Sequence, residues 1–229
     1  MPHPDLRWDR EPGSPDAVVL VLHGGQESSL QAVRRSDPAV LRMWPVAKST
    51  AHAGGERLAV ARLRYAVRGW NGAAASPLVD TLSALDDVGH RYPGRPIALV
   101  GHSMGGRVAL ALAGDERVRH VVGLAPWVEA GDPVRPHPGL RLLVVHGMSD
   151  RVTSPTASRR LVDSLQSSGL VASFVGLDAE GHAMLRRWRA WDQLTTGYLV
   201  HALTTAPHAP AGFAALAARA SSEGLTTVV

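Results

Sequence analysis

The chain predicts an α/β fold: a mostly parallel, doubly wound sheet with helices on both faces, a three-layer sandwich. Three observations predict it. Short apolar runs alternate with helical stretches from residue 17 to residue 203. The runs lack an alternating polar face, as expected of strands buried on both sides. One of them, Pro96-Ile97-Ala98-Leu99-Val100, leads straight into Gly101-His102-Ser103-Met104-Gly105, the G-x-S-x-G turn that carries a strand into a helix.

The elements follow in order. Residues 17–22 are a buried strand, 38–52 a helix opened by Pro38, and 58–65 the next strand. Pro77 opens a helix through Asp80, Leu82, Leu85 and Val88, apolar at intervals of three and four. Ser103 precedes Arg107-Val108-Ala109-Leu110-Ala111-Leu112-Ala113, a strong helix former with Gly114 at its end. Residues 121–125 and 140–145 are strands. A helix runs from Pro155 to near Gly169, 171–177 is the last strand, and 184–203 the last helix. One domain is expected over 1–205. From 206 to 229 Ala, Pro, Ser and Thr dominate, so this is read as a tail of uncertain order in which 213–220 could form a short helix.

The 229 residues are 45% apolar and 19% charged, ordinary for a globular domain. The net charge is +4 and the pI about 10.3. Lys48 is the only lysine, and the arginines are scattered singly or in pairs such as Arg34-Arg35, Arg159-Arg160 and Arg186-Arg187. A nucleic-acid binder would cluster them, so no nucleic-acid partner is expected. No apolar run is long enough for a bilayer and the first residues do not read as a signal peptide, so the expectation is a cytoplasmic protein without membrane attachment. The absence of cysteine excludes disulfides and thiol nucleophiles.

A serine hydroxyl becomes a nucleophile when a base takes its proton, and a histidine base needs an acid to hold its tautomer. In a sheet of this kind the chain order is Ser, then Asp or Glu, then His. Ser103, Asp150 and His182 supply that order, each in a loop leaving the carboxyl end of a strand, where open α/β sheets bind ligands. Among eleven histidines only His182 comes after the serine, after a plausible acid, and next to a Gly at a strand end. His102 adjoins the serine and should point away from it, while His23 and His146 read as structural partners of loop backbone. Asp132 is the second choice of acid. Asp178 and Glu180 precede His182 too closely. A developing oxyanion calls for backbone donors. Met104, at a helix N-terminus, offers one, and Gly25 in His23-Gly24-Gly25-Gln26 the other, with Gln26 the second choice. Gln26, Trp70, Trp127 and Met148 lie in or beside the rim loops as candidate substrate contacts.

These motifs carry a resemblance. L-H-G-G after a first strand, G-H-S-M-G-G at the serine, V-H-G-M-S-D-R-V with the acid and E-G-H with the base, within residues 16–203, make the chain similar to the α/β-hydrolase superfamily. The resemblance implies a serine hydrolase acting through an acyl-enzyme, with Ser103, Asp150 and His182 as its triad and with neither metal nor organic cofactor. Where many relatives carry a helical cap, only 126–139 intervenes here, too short for a lid. The stretch before Ala17 is brief, so one or both leading antiparallel strands are expected to be missing. An open site of this kind suits a small or projecting ester, a small-molecule substrate. Acyl transfer, thioester or peptide cleavage at the same serine are the alternatives, with an inert binding module behind them.

Overall fold

The computed structural model describes residues 2–129, 131–132, 134–204 and 211–229. The boundary expected at 205–206 lies outside the described residues. Eight strands form one sheet: β1 (Asp5–Arg10), β2 (Ala17–Leu22), β3 (Leu58–Arg64), β4 (Ile97–His102), β5 (Val118–Leu124), β6 (Arg141–Gly147), β7 (Val171–Leu177) and β8 (Thr226–Val228). Their order is β1-β3-β2-β4-β5-β6-β7-β8, with only β1 antiparallel to its neighbour. The helices are α1 (Pro38–Arg42), α2 (Trp44–Gly54), α3 (Ser76–Arg91), α4 (Met104–Ala111), α5 (Pro155–Ser167), α6 (Trp188–Leu203) and α7 (Phe213–Ser222).

The core follows from the two-residue period of a strand. Val18, Leu20 and Leu22 face one layer, with Leu85 of α3, Val108 of α4 and Val162 of α5. Ala17, Val19 and Val21 face the other, with Val46 of α2, Trp191 and Tyr198 of α6 and Ala217 of α7. Both faces are therefore dry, which is why these strands are apolar at every position.

Several expectations are corrected in detail. The stretch before Ala17 does supply one leading antiparallel strand, β1, anchored where Arg62 of β3 grips Asp9 at 2.5 and 3.0 Å. The helix expected over 38–52 divides at Met43, because Pro45 sits in the first turn of α2 and cannot continue the hydrogen bonds of α1. Residues 184–187 do not join α6, which starts at Trp188. The strand at 171–177 is not the last: β8 pairs with β7, and α7 packs on α6 and β7. Among the described residues the connection between β5 and β6 carries no helix, and no helix is long and apolar enough to cross a membrane.

Candidate active site

Three strand ends build the site. β4 runs into α4 through Ser103, which takes the turn at φ 54°, ψ −116°. Side chains disfavour that region by about 1–3 kcal/mol, so surrounding contacts must hold it. They do: the Ser103 N–H donates to the Leu124 carbonyl at 3.0 Å, and its carbonyl accepts from the Arg107 and Trp127 amides at 3.1 and 3.0 Å. Gly101 is required beneath, because a Cβ there would run into the backbone of Gly105.

β6 and β7 deliver the other two groups. The His182 Nδ1–H donates to Asp150 Oδ2 at 2.8 Å. The same oxygen accepts from the Thr153 hydroxyl at 2.9 Å and from His146 Nε2 at 3.2 Å, while Oδ1 accepts the Val152 and Thr153 amides at 2.7 and 3.1 Å. Burial alone would raise the Asp150 carboxyl. The hydrogen bonds from His146, His182 and the two amides overcome it and hold the group well below the usual carboxylate range. With Nδ1 committed to Asp150, Nε2 is the basic nitrogen of His182.

His182 is tied to the serine turn from behind. His102 Nε2–H donates to the His182 carbonyl at 3.0 Å, and the two rings lie 4.8 Å apart between centroids. Burial, with the charges of His182 and Arg42 adding to it, pushes His102 down to about 3, so it stays a neutral donor. Among the described residues no hydrogen bond joins the Ser103 hydroxyl to the His182 ring. Such bonds commonly tighten only when substrate excludes water.

The loop after β2 closes the other side. A Cβ on Gly24 would stand 3.4 Å from that of Ser103. Gly25 is packed against the Met104 side chain and the Arg68 carbonyl, where a side chain would not fit. The Gln26 amide is spent on Arg68 O at 2.8 Å. The amides of Gly25 and Met104 meet no protein acceptor among the described residues. His23 braces this loop, its Nδ1–H donating to Gly24 O at 2.6 Å and its Nε2 accepting from the Tyr65 amide at 3.1 Å. Burial pushes it down to about 4.

The remaining candidates separate. Gln26 lines a cleft of about 310 Å³ with Gly24, Gly25 and Arg68. Trp70 and Trp127 meet edge to face at 6.5 Å, with the Arg107 guanidinium stacked 4.0 and 4.3 Å from their ring centres. They line a second cleft of about 280 Å³. Met148 instead lays its sulfur over Gly176 at the β7–β8 edge. Asp132 forms a two-pronged ion pair with Arg107 at 2.5 and 3.0 Å. Glu180 is buried and accepts the Gly181 and Arg187 amides, fixing the turn around His182. Among the described residues no three His, Asp or Glu side chains gather as a metal site. Thr153 is the residue at this site that sequence reading passed over, and His146, read there as a partner of loop backbone, instead meets the side chains of Asp150 and Ser158. The four-residue spacing from His146 to Asp150 across a Gly-containing turn was the available signal.

Residues 18–229 match the alpha/beta hydrolase family. The chain belongs to that family. Monoglyceride lipase of Homo sapiens is 32% identical over 125 residues, 52% of this chain and 36% of the lipase, and that of Rattus norvegicus is 31% identical over 124. The match thus spans about a third of those relatives. Among solved structures, a serine hydrolase without a lid from Xanthomonas campestris superposes with a TM-score of 0.65 at 18% identity, covering 90% of this chain and 91% of that one. Esterase 2 of Thermogutta terrifontis gives 0.67 at 14% identity, with 90% and 91% covered. At these identities the likeness is one of fold.

Proposed function

We propose that the chain cleaves carboxylic esters through an acyl-enzyme on Ser103. One observation carries the reading: the 2.8 Å bond from His182 to a buried Asp150, on a loop tied to the turn that holds Ser103 at φ 54°. In the proposed sequence His182 Nε2 takes the hydroxyl proton as Oγ attacks the carbonyl carbon. The carbonyl π-electrons move to oxygen, and the Gly25 and Met104 amides receive that charge, aided by the α4 dipole. The oxyanion then collapses, the bond to the alkoxy oxygen breaks, and His182 gives its proton to the departing alcohol. Water repeats the cycle: it loses a proton to His182, attacks the acyl carbon, and releases the carboxylic acid as Oγ regains its proton.

The connection between β5 and β6, which carries no helix among the described residues, supports a small or projecting ester, and the clefts at Gln26 and at Trp70–Trp127 are the candidate seats for its two halves. Two mammalian relatives are named monoglyceride lipases, which makes a monoacylglycerol the natural second probe. Purified protein should release p-nitrophenol from short acyl esters and glycerol from a monoacylglycerol. Ser103→Ala should lose the rate down to the roughly thousand-fold residual left by binding and the oxyanion donors. An alanine variant with wild-type turnover would defeat the reading.

A further inference from the structure

We propose that His146 is a positioning residue for this site, donating a hydrogen bond that aims the Asp150 carboxylate at His182, with Ser158 fixing the tautomer that can do so. The inference rests on the ester-cleavage reading above.

The geometry is specific. His146 ends β6 just before Gly147, and the chain turns back so that the Asp150 amide reaches Gly147 O at 3.1 Å. That turn brings Asp150 Oδ2 to 3.2 Å from His146 Nε2. The ring is wholly buried, and on its other edge Nδ1 lies 2.9 Å from the hydroxyl of Ser158 on α5, itself fully buried. An ionised carboxylate only accepts, so Nε2 must carry the proton. Nδ1 then carries the lone pair, and the Ser158 hydroxyl donates to it. A continuous chain therefore runs from α5 through Ser158, His146 and Asp150 to His182. The base shares its acid with a second, buried histidine.

This sharing has a directional consequence. Oδ2 is the oxygen that holds both rings, and each donated proton draws negative charge from it. Without the His146 donor, Oδ2 would hold the His182 imidazolium more tightly, and the base would become protonated at higher pH. The other groups facing the pair are the Thr153 hydroxyl, which lies 3.3 Å from His146 Nε2, 3.2 Å from His182 Nδ1 and 3.1 Å from the Ala125 carbonyl as well as against Oδ2, the Val152 and Thr153 amides, His102 against the His182 ring, Arg42 on the Ala183 carbonyl at 2.7 Å, and Glu180 in the turn before His182. A histidine that merely filled the core would affect folding and leave the pH profile where it was.

The test is kcat/KM for p-nitrophenyl butyrate from pH 5 to pH 9, with melting temperatures, for wild type, His146→Phe, His146→Gln and Ser158→Ala. His146→Phe keeps the volume and removes the donor. Its acid limb should move up by about one pH unit, cutting kcat/KM about tenfold at pH 6, with the deficit narrowing above pH 8. The Gln amide nitrogen can stand where Nε2 stood, so His146→Gln should bring the limb back towards wild type. Ser158→Ala should move it part of the way in the same direction as His146→Phe. An unmoved or lowered limb in His146→Phe, or a loss equal at every pH, overturns the proposal. Should His146→Phe not fold, Ser158→Ala decides, and a wild-type limb there overturns it equally. Ser103→Ala separates the two readings. If that variant keeps wild-type turnover, the ester-cleavage reading itself fails. If its rate falls to the residual left by binding and the oxyanion donors and the limbs are unmoved, only the role of His146 fails.

Discussion

Asp150→Asn is the sharpest single perturbation, because the structure specifies what every atom of the carboxylate does. Oδ2 accepts from His182, Thr153 and His146, and Oδ1 accepts two backbone amides. An amide has one accepting oxygen where the carboxylate has two. If that oxygen stays with the Val152 and Thr153 amides, the NH₂ group faces His182 Nδ1, and the ring must switch tautomer. Nε2 then carries a proton and cannot take one from Ser103. If the amide flips, two buried backbone donors lose their acceptor, at about 1–3 kcal/mol each. The first outcome is one of rate: losing the tautomer costs about 10⁴ in kcat, or about 5 kcal/mol at 1.36 kcal/mol per tenfold. The second is one of stability, roughly 2–4 °C of melting temperature per kcal/mol in a chain of this size. Initial rates on p-nitrophenyl butyrate at pH 8 and a thermal melt by circular dichroism read both. A variant keeping more than about a tenth of the wild-type rate would refute the role given to Asp150.

Further outcomes are expected elsewhere. His23 and His120 are pushed down to about 4 and His102 to about 3, chiefly by burial, from an ordinary 6.5. The unfolded chain therefore takes up these protons first. Their contribution is complete above pH 6.5 and declines towards pH 4 by up to about 1.4 kcal/mol per pH unit for each ring. Urea midpoints at pH 7.5 and pH 5 check this, and equal midpoints would contradict it. The carboxyl of Asp150 acts in the same sense lower down: its contribution is present above its unfolded value of 3.8 and fades as the pH falls further. Gly25→Ala places a methyl against Met104 and the Arg68 carbonyl, so the amide should turn out of line. The expected loss in kcat is at least about a hundredfold, and a folded variant with wild-type kcat would remove Gly25 from the oxyanion site. Deleting residues 226–229 should expose the β7 edge and lower kcat, which size-exclusion profiles and steady-state rates together would show.

Much of the site was legible because chemistry constrains sequence tightly at strand ends. The strained turn demands Gly101 and Gly105 around Ser103, and the loops after β6 and β7 bring Asp150 and His182 to 2.8 Å of each other, as their places after strand ends led one to expect. The partners of Asp150 were harder to read. Thr153 reaches it through a turn, and His146 reads locally as one more histidine before a glycine. Only the folded loop shows that its ring meets a side chain instead of backbone. The fold was legible wherever a run was apolar throughout. It was illegible at β8, where Thr226-Thr227-Val228 is too short to show a period and is a strand only because β7 offers it an edge. Likewise β1 has mixed burial, and its place depends on the grip of Arg62 on Asp9.

The pairing of β8 reaches further than the sheet edge. Its neighbour Val229 receives the Asp178 amide at 2.9 Å and the Arg187 guanidinium at 2.6 Å through one carbonyl, while its own amide holds Gly176 O at 2.9 Å. Asp178 and Arg187 bracket the segment bearing His182, so both abutments of that span are moored to a single carbonyl oxygen. A foreign strand that peels 226–229 away would slacken the span long before it loosened the interior. Turnover would then serve as a gauge of how firmly that edge is held.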